Sequence, residues 1–208
     1  MELSELTVSS FANLLGSDAP APGGGSAAAL EGSLGAALAS MVSALTLGRK
    51  KYEESQALAQ EGFDRGTALM NELLVAMDHD TAVFNEFSAA MAMPKNTDEE
   101  KAVRRTAMQE ALVKCTESPY HVMELCVQAL ELTDSLLGKT NASALSDLGV
   151  SALSLGAGLR GAWLNVLINI GGLKDPAIAE RYRTAGKELL ARGMALSEEI
   201  YRRVEAEL

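Results

Sequence analysis

The chain has 208 residues and a formal net charge of −10, and hydrophobic residues make up 48% of it while aromatic residues make up only 4%. A core with so few aromatic rings must be built from Ala, Leu, Val and Met, which favours packed helices over sheets. The acidic charge argues against a nucleic-acid partner, because phosphate-binding proteins carry dense Lys and Arg faces.

No linker or break in composition divides the sequence, so a single domain over residues 1–208 is predicted. Cys115 and Cys126 form no CxxC pair and the N-terminus lacks a secretion-signal pattern, which predicts a reduced, cytoplasmic setting. The uncharged runs are short and rich in Gly and Ser, so no membrane-spanning segment is expected. His79 and His121 have no His or Cys at ligand spacing, and no metal site is predicted.

Apolar residues at three- and four-residue spacings predict an antiparallel helical bundle of five or six major helices. In chain order, helices are expected over residues 3–15, 26–47, 53–93, 97–116, 119–137, 142–173 and 176–208. The third is long enough that a kink or break near Gly62 or Gly66 is expected.

Three helix starts carry specific signals. Thr97 and Glu100 fit a capping box, in which each side chain binds the other residue's backbone N–H. Pro119 is expected in the first turn of a new helix, because proline lacks the N–H that an interior position needs. Asp175 before Pro176 is expected to cap the last helix.

A glycine-rich loop precedes the second predicted helix. Its candidate ligand-binding residues are Pro22, Gly23, Gly24, Gly25 and Ser26. Glycine lets backbone N–H groups approach a bound molecule, and the first amides of a helix have no partners within it. The alternative is a simple turn capped by Ser26, because the loop matches neither the Walker nor the dinucleotide pattern.

Few side chains are candidates for catalysis. Asp80 lies mid-helix with Met77 and Phe84 one turn away, so its carboxylate is expected to be partly buried. Asp147 lies in an otherwise apolar segment, where a charge requires a partner or a function. The alternative for Asp78 and Asp80 is an ordinary solvated helix surface.

The candidate binding side chains are cationic or carry amides. They are Arg49, Lys50, Lys51, Lys95, Asn165 and Asn169. The three consecutive cations either stabilise the end of a helix or bind an anion. The two Asn residues are four apart and share one helix face, where their amides need each other, the backbone or a heterocycle as partners.

Small residues recur at close spacing in two predicted helices. They are Gly32, Ala36 and Ser40 in one helix and Gly149, Ser151, Gly156 and Gly158 in the other. Such faces let helices approach closely, against each other, a ligand or a second subunit. Packing alone is the alternative explanation for any single glycine.

These segments together resemble the cyclodeaminase/cyclohydrolase family of folate enzymes over nearly the whole chain. The matching segments are residues 22–26, 45–52, 80–84, 94–97, 146–147 and 165–169. The resemblance implies an all-α homodimer that acts on a one-carbon adduct of tetrahydrofolate, with no separate cofactor. It assigns the essential carboxylate to Asp80. The neighbouring acidic position of some members is shifted or replaced here, where Asp78 and His79 flank Asp80.

The stretches 48–52 and 158–160 and the chain length resemble a stand-alone methenyltetrahydrofolate cyclohydrolase more than the bifunctional enzymes. The expected reaction is hydrolysis of 5,10-methenyltetrahydrofolate to 10-formyltetrahydrofolate. One alternative is formimidoyltetrahydrofolate cyclodeaminase, which releases ammonia. Another is a non-enzymatic helical module that binds folate or supports assembly.

Overall fold

The computed structural model describes residues 2–208, in which every regular element is helical and no strand occurs. The α-helices are α1 (Val8–Leu15), α2 (Gly24–Ala44), α3 (Gln56–Ala92), α4 (Asp98–Leu136), α5 (Leu145–Ile170) and α6 (Pro176–Glu207). Short 3-10 helices occupy Leu3–Glu5, Lys50–Ser55 and Ala142–Ala144. The prediction of an all-α fold with five or six major helices is confirmed.

Two of the predicted helix starts have the expected caps. Thr97 Oγ1 accepts from the Glu100 backbone N–H at 3.1 Å, and Glu100 Oε2 accepts from the Thr97 N–H at 3.1 Å. Asp175 Oδ1 accepts from the Ala177 N–H at 2.8 Å. Each side chain thereby satisfies a backbone donor that has no partner within its helix.

Other boundaries differ from the sequence prediction. The first helix is divided, because Thr7 caps a new helix through its side chain and leaves Leu3–Glu5 as a separate 3-10 turn. The second helix begins at Gly24 and ends at Ala44, earlier at both ends than predicted.

The predicted kink in the third helix is wrong, because α3 is continuous through Gly62 and Gly66. A Cβ at Gly66 would lie 3.0 Å from the backbone of Ser40, and one at Gly62 would meet the hydroxyl of Ser43. These glycines therefore let α2 and α3 pack closely.

The predicted helix start at Pro119 is also wrong, because α4 runs unbroken past it. A proline inside a helix leaves the carbonyl four residues earlier without its usual donor. Here that carbonyl belongs to Cys115, and it accepts a hydrogen bond from Asn169 Nδ2 on α5 at 2.5 Å. A tertiary contact thus replaces the missing helical bond.

Helices α2, α3, α4 and α5 form an antiparallel bundle in which each packs on the next and α5 returns to α2. Helix α6 lies against α4 and α5. Leu73, Met123, Leu130 and Leu155 are fully buried in the shared core. A Cβ at Gly158 would lie 2.9 Å from the Gly32 nitrogen, so small residues do bring α2 and α5 into close contact.

Two segments, Gly24–Ala44 and Ala142–Ile170, are long and apolar enough to cross a membrane by length and composition alone. About half of the most apolar window of each is buried inside the bundle, as in the core helices of many proteins. The expectation that no segment spans a membrane stays a prediction.

Candidate active site

Three consecutive residues of α3 contact three different parts of the molecule. Asp78 Oδ2 accepts from the Ser4 hydroxyl at 2.6 Å and so fixes the N-terminal segment. His79 Nδ1 lies 3.3 Å from the Ser118 hydroxyl on α4. Asp80 faces α2, where Ser26 Oγ donates to its Oδ2 at 2.9 Å. Only Asp80 among the three lines a cavity next to the glycine-rich loop.

The Asp80 carboxylate is partly buried at the start of α2. Burial raises the pKa of Asp80, while hydrogen bonds from the side chain and backbone of Ser26 and the charge of His79 oppose that rise. Burial favours the protonated form, and donors at a helix N-terminus favour the ionised form. The backbone amides at the start of α2, which the sequence predicts as donors to a ligand, therefore face a carboxylate of the protein itself.

Glycine is required where the loop passes Asp80. A Cβ on Gly25 would lie 2.7 Å from Asp80 Cγ, a separation too short for any side chain. A Cβ on Gly24 would lie 3.5 Å from Asn165 Nδ2, which is ordinary contact. Gly25 therefore lets the carboxylate reach Ser26.

The cavity at Asp80 has a volume of about 460 Å³, within the range of small-molecule sites. Apolar walls surround a few polar groups. The apolar side chains are Val83, Phe84, Phe87, Leu112 and Ile168, and the polar ones include Asp80, Thr81, Asn165 and Asn169. Gly23, Gly24 and Gly25 close one side, whereas the buried Pro22 and Ser26 lie behind this surface.

Cys115 also lines the cavity, and its thiol donates to the Val83 carbonyl at 3.4 Å. Burial, together with the negative charges of Asp80 and Glu86, raises the pKa of Cys115 to about 11. The thiol is therefore protonated at neutral pH and is no nucleophile. Asp80 remains the cavity's one carboxylate among residues 2–208.

The structure does not bring the predicted cations at residues 49–51 to Asp80 within one chain. They follow the far end of α2, about 30 Å from Gly25 at the helical rise per residue. The 3-10 segment there is held by Tyr52, whose hydroxyl accepts from the Ala142 N–H at 3.0 Å. Their contact with substrate stays a prediction.

Asp147 is also distant from Asp80. It lies half-buried in the first turn of α5, about 27 Å along that helix from Asn165. An acidic residue in a first turn is stabilised by the helix dipole, which explains a charge in this apolar segment without catalysis. Lys95 is exposed just past the end of α3, and that end lies about 18 Å along the helix from Asp80.

Several residues that line the cavity are not predicted from the sequence. Phe87 follows Asp80 at a seven-residue spacing, so the helical period that singled out Phe84 also points to it. Cys115 and Leu112 come from α4 and have no local signal. Within residues 2–208, no three His, Cys, Asp or Glu side chains group as a metal site.

A lone carboxylate in an apolar cavity of a helical bundle defines a protein that binds or transforms a small molecule. Residues 7–188 match the family model described as formiminotransferase-cyclodeaminase. The chain is 42% identical over 202 residues to the methenyltetrahydrofolate cyclohydrolase of Methylorubrum extorquens, and the match covers 97% of both chains. This chain therefore belongs to the formiminotransferase-cyclodeaminase family, as its motifs predicted.

The bifunctional relatives are longer than this chain. It is 35% identical over 188 residues to the formimidoyltransferase-cyclodeaminase of Rattus norvegicus, a match that covers 90% of this chain and 35% of the rat protein. The crystal structure of formiminotetrahydrofolate cyclodeaminase from Thermotoga maritima has a TM-score of 0.81, covering 99% of this chain and 96% of that chain. At 24% identity, this likeness shows a shared fold.

Proposed function

We propose that this protein is a methenyltetrahydrofolate cyclohydrolase, which adds water to the cationic one-carbon bridge of 5,10-methenyltetrahydrofolate and releases 10-formyltetrahydrofolate. The observation that carries the proposal is the partly buried Asp80 carboxylate beside a cavity with apolar and aromatic walls. A carboxylate stabilises a cation in such a site, and flat walls suit a pteridine ring. The similarity to the Methylorubrum protein supports the same activity.

Asp80 acts in two steps of this reaction. Ionised Asp80 orients a water molecule and accepts its proton as the oxygen attacks the bridging carbon, which gives a neutral tetrahedral carbinolamine. Protonated Asp80 then returns the proton to N5, and the C–N5 bond breaks while the carbinolamine hydroxyl loses its proton to water. The formyl group stays on N10, and one proton is released overall. Ser26 donates to the carboxylate throughout and holds it in place.

Formimidoyltetrahydrofolate cyclodeaminase is the second candidate, because the chain also matches the bifunctional relatives named for that activity. In that reaction N10 attacks the formimino carbon and ammonia leaves through a similar tetrahedral centre. One experiment separates the two: purified protein is given methenyltetrahydrofolate, whose absorbance is followed, and in parallel formiminotetrahydrofolate, whose ammonia release is measured. Loss of absorbance faster than the buffer rate without ammonia release supports the cyclohydrolase. Folate binding without either reaction supports a non-enzymatic module.

We further propose that the protein is a cytoplasmic homodimer that needs no separate cofactor. Large apolar side chains are exposed on α2 and on α5, the two helices that pack on each other. They are Leu34 and Met41 on α2, Leu45 directly after α2, and Val150, Leu153, Leu164 and Ile168 on α5. An exposed apolar face of this kind is typical of a subunit interface. Sedimentation at micromolar concentration tests it, and a monomer would contradict it.

A two-fold axis that lies in this face, perpendicular to α2 and level with its middle, would place the two copies of α2 antiparallel. The far end of one α2, with Arg49, Lys50 and Lys51, would then lie near the partner's Gly23–Gly25 loop. The folate substrate carries a glutamate dicarboxylate, which cations bind. The proposed dimer therefore supplies positive charge that the cavity itself lacks within residues 2–208.

A further inference from the structure

The orientation of the Asn169 carboxamide is fixed by the backbone hydrogen bond that Pro119 cannot make inside α4. The Cys115 carbonyl can only accept a hydrogen bond, so the Asn169 atom that faces it at 2.5 Å must be the nitrogen. A flipped amide would set two oxygens against each other and leave the Cys115 carbonyl, four residues before Pro119, without a donor. The Asn169 oxygen must therefore point elsewhere.

Asn165, one turn earlier on α5, is fixed in the same way. Its Nδ2 donates to the Gly161 carbonyl at 2.9 Å, which again commits the nitrogen to the backbone. Within residues 2–208 neither Asn165 Oδ1 nor Asn169 Oδ1 accepts a protein hydrogen bond, and no buried side-chain polar atom lacks a partner. Both oxygens are therefore accessible, and both residues line the Asp80 cavity.

The polar wall of the cavity is thus rich in acceptors. Asn165 and Asn169 are four apart on one helix face, so their amides lie close together. With the Asp80 carboxylate they present acceptor oxygens from three side chains, whereas one N–H of each Asn amide is committed to a backbone carbonyl. Such a wall favours a ligand edge made of N–H groups and disfavours one made of carbonyls.

We infer that Asn165 Oδ1 and Asn169 Oδ1 are specificity determinants that accept hydrogen bonds from the 2-amino group and the adjacent ring N–H of the pteridine. This inference rests on the proposed function, since it assigns the folate ring to the cavity at Asp80. It places the aminopyrimidine end of the ring at α5 and leaves the one-carbon bridge for Asp80 on α3. A bound ring without these donors would leave two amide oxygens desolvated and unpaired.

Binding of an unreactive ligand tests the inference separately from turnover. The dissociation constants of tetrahydrofolate and of its 2-desamino-2-methyl analogue are measured by calorimetry. The wild-type protein is expected to bind tetrahydrofolate about tenfold more tightly than the analogue, the effect of one lost hydrogen bond in a desolvated site. Asn165→Ala and Asn169→Ala are measured in the same way. The variant that removes the acceptor of the 2-amino group is expected to bind the two ligands with nearly equal dissociation constants.

Matched variants separate recognition from packing. Asn165→Asp retains an oxygen acceptor and is expected to keep discrimination if its acceptor role is the relevant one. Asn71→Ala changes an exposed amide on α3 outside the cavity and keeps the wild-type ratio. The inference would be overturned if the wild-type protein bound the two ligands equally well, or if both alanine variants kept the wild-type preference for tetrahydrofolate. Neither result would affect the proposed folate turnover. Failure of the wild-type protein to bind tetrahydrofolate would instead overturn the proposed function.

Discussion

The two ends of the α2–α5 pair differ in charge and in solvation. At the start of α2, glycines bring a carboxylate into a partly buried cavity where burial raises its pKa. At the far end, the cations at residues 49–51 are exposed and follow the helix C-terminus. A charge that takes part in proton transfer benefits from desolvation, whereas a charge that attracts a flexible dicarboxylate can remain in water.

The largest expected effect on kcat comes from removing the charge of Asp80, at the end of the α2–α5 pair that carries the cavity. Asp80→Asn keeps the shape of the side chain but loses its negative charge and basicity, so kcat falls about 10²-fold or more while folate binding survives. The matched control is Asp78→Asn, because Asp78 binds the N-terminal segment instead of the cavity. Initial rates with methenyltetrahydrofolate measure both, and near-normal turnover by Asp80→Asn would refute the mechanism.

A smaller loss of kcat is expected when the Asp80 carboxylate is displaced but keeps its charge. The added methyl of Gly25→Ala meets the Asp80 carboxylate and displaces it, so kcat falls by about tenfold or more. At Gly23 an added Cβ meets no atom within 4 Å, so Gly23→Ala is expected to cost less. Equal kinetics for the two variants would show that the close approach at Gly25 does not matter.

Removing charge at the opposite end is expected to change KM more than kcat. A triple alanine variant at Arg49, Lys50 and Lys51 loses the cations proposed for the glutamate tail, and KM is expected to rise about tenfold. The control is a triple alanine variant at Arg105, Lys187 and Arg202, exposed cations on α4 and α6. If both variants keep the wild-type KM, the assignment of residues 49–51 is wrong.

Mixed dimers test whether the two ends meet across a subunit interface. Asp80→Asn chains and residue 49–51 triple-alanine chains are co-expressed with different tags, and the mixed dimer is purified. If each active site combines Asp80 of one chain with residues 49–51 of the other, one of the two sites in the mixed dimer has both parts wild-type. At low substrate concentration the mixed dimer then shows about half of the wild-type activity. Activity equal to the mean of the two parents would place each complete site within one chain.

The pH profile provides a smaller test of the cavity end. Asp80 acts when ionised, so the rate is expected to rise with pH through its raised pKa and to fall on acidification. The Ser26 hydrogen bond lowers that pKa, so Ser26→Ala is expected to move the acidic limb of kcat to higher pH. An acidic limb unchanged by this variant would mean that another group controls it.

The smallest expected effect is on stability. Because folding raises the pKa of Asp80, the folded protein holds this proton more tightly, and stability decreases as pH rises through the interval above 3.8. At neutral pH the full cost of the buried charge is present, so Asp80→Asn is expected to raise Tm slightly. Thermal unfolding of the wild-type protein and of Asp80→Asn at pH 7 and at pH 4 measures the difference in Tm. This difference is expected to be smaller at pH 4.

Local signals in the sequence determined the helical fold and several of its boundaries. Low aromatic content and apolar spacing gave the all-α class, and the caps at Thr97 and Asp175 lie where their side chains predicted. Asp80 is identifiable because a mid-helix carboxylate one turn from Phe84 matches a family motif. These inferences depend on neighbours along the chain, which the sequence displays directly.

Tertiary contacts decided the remainder. Pro119 lies inside α4 because Asn169 of another helix satisfies the carbonyl that it frees, and Gly62 and Gly66 allow close packing instead of a kink. The approach of Gly25 to Asp80 joins residues 55 positions apart, and the walls from α4 have no signal near either. The sequence alone identifies the residues able to provide these contacts, but the packing of the helices determines which of them meet.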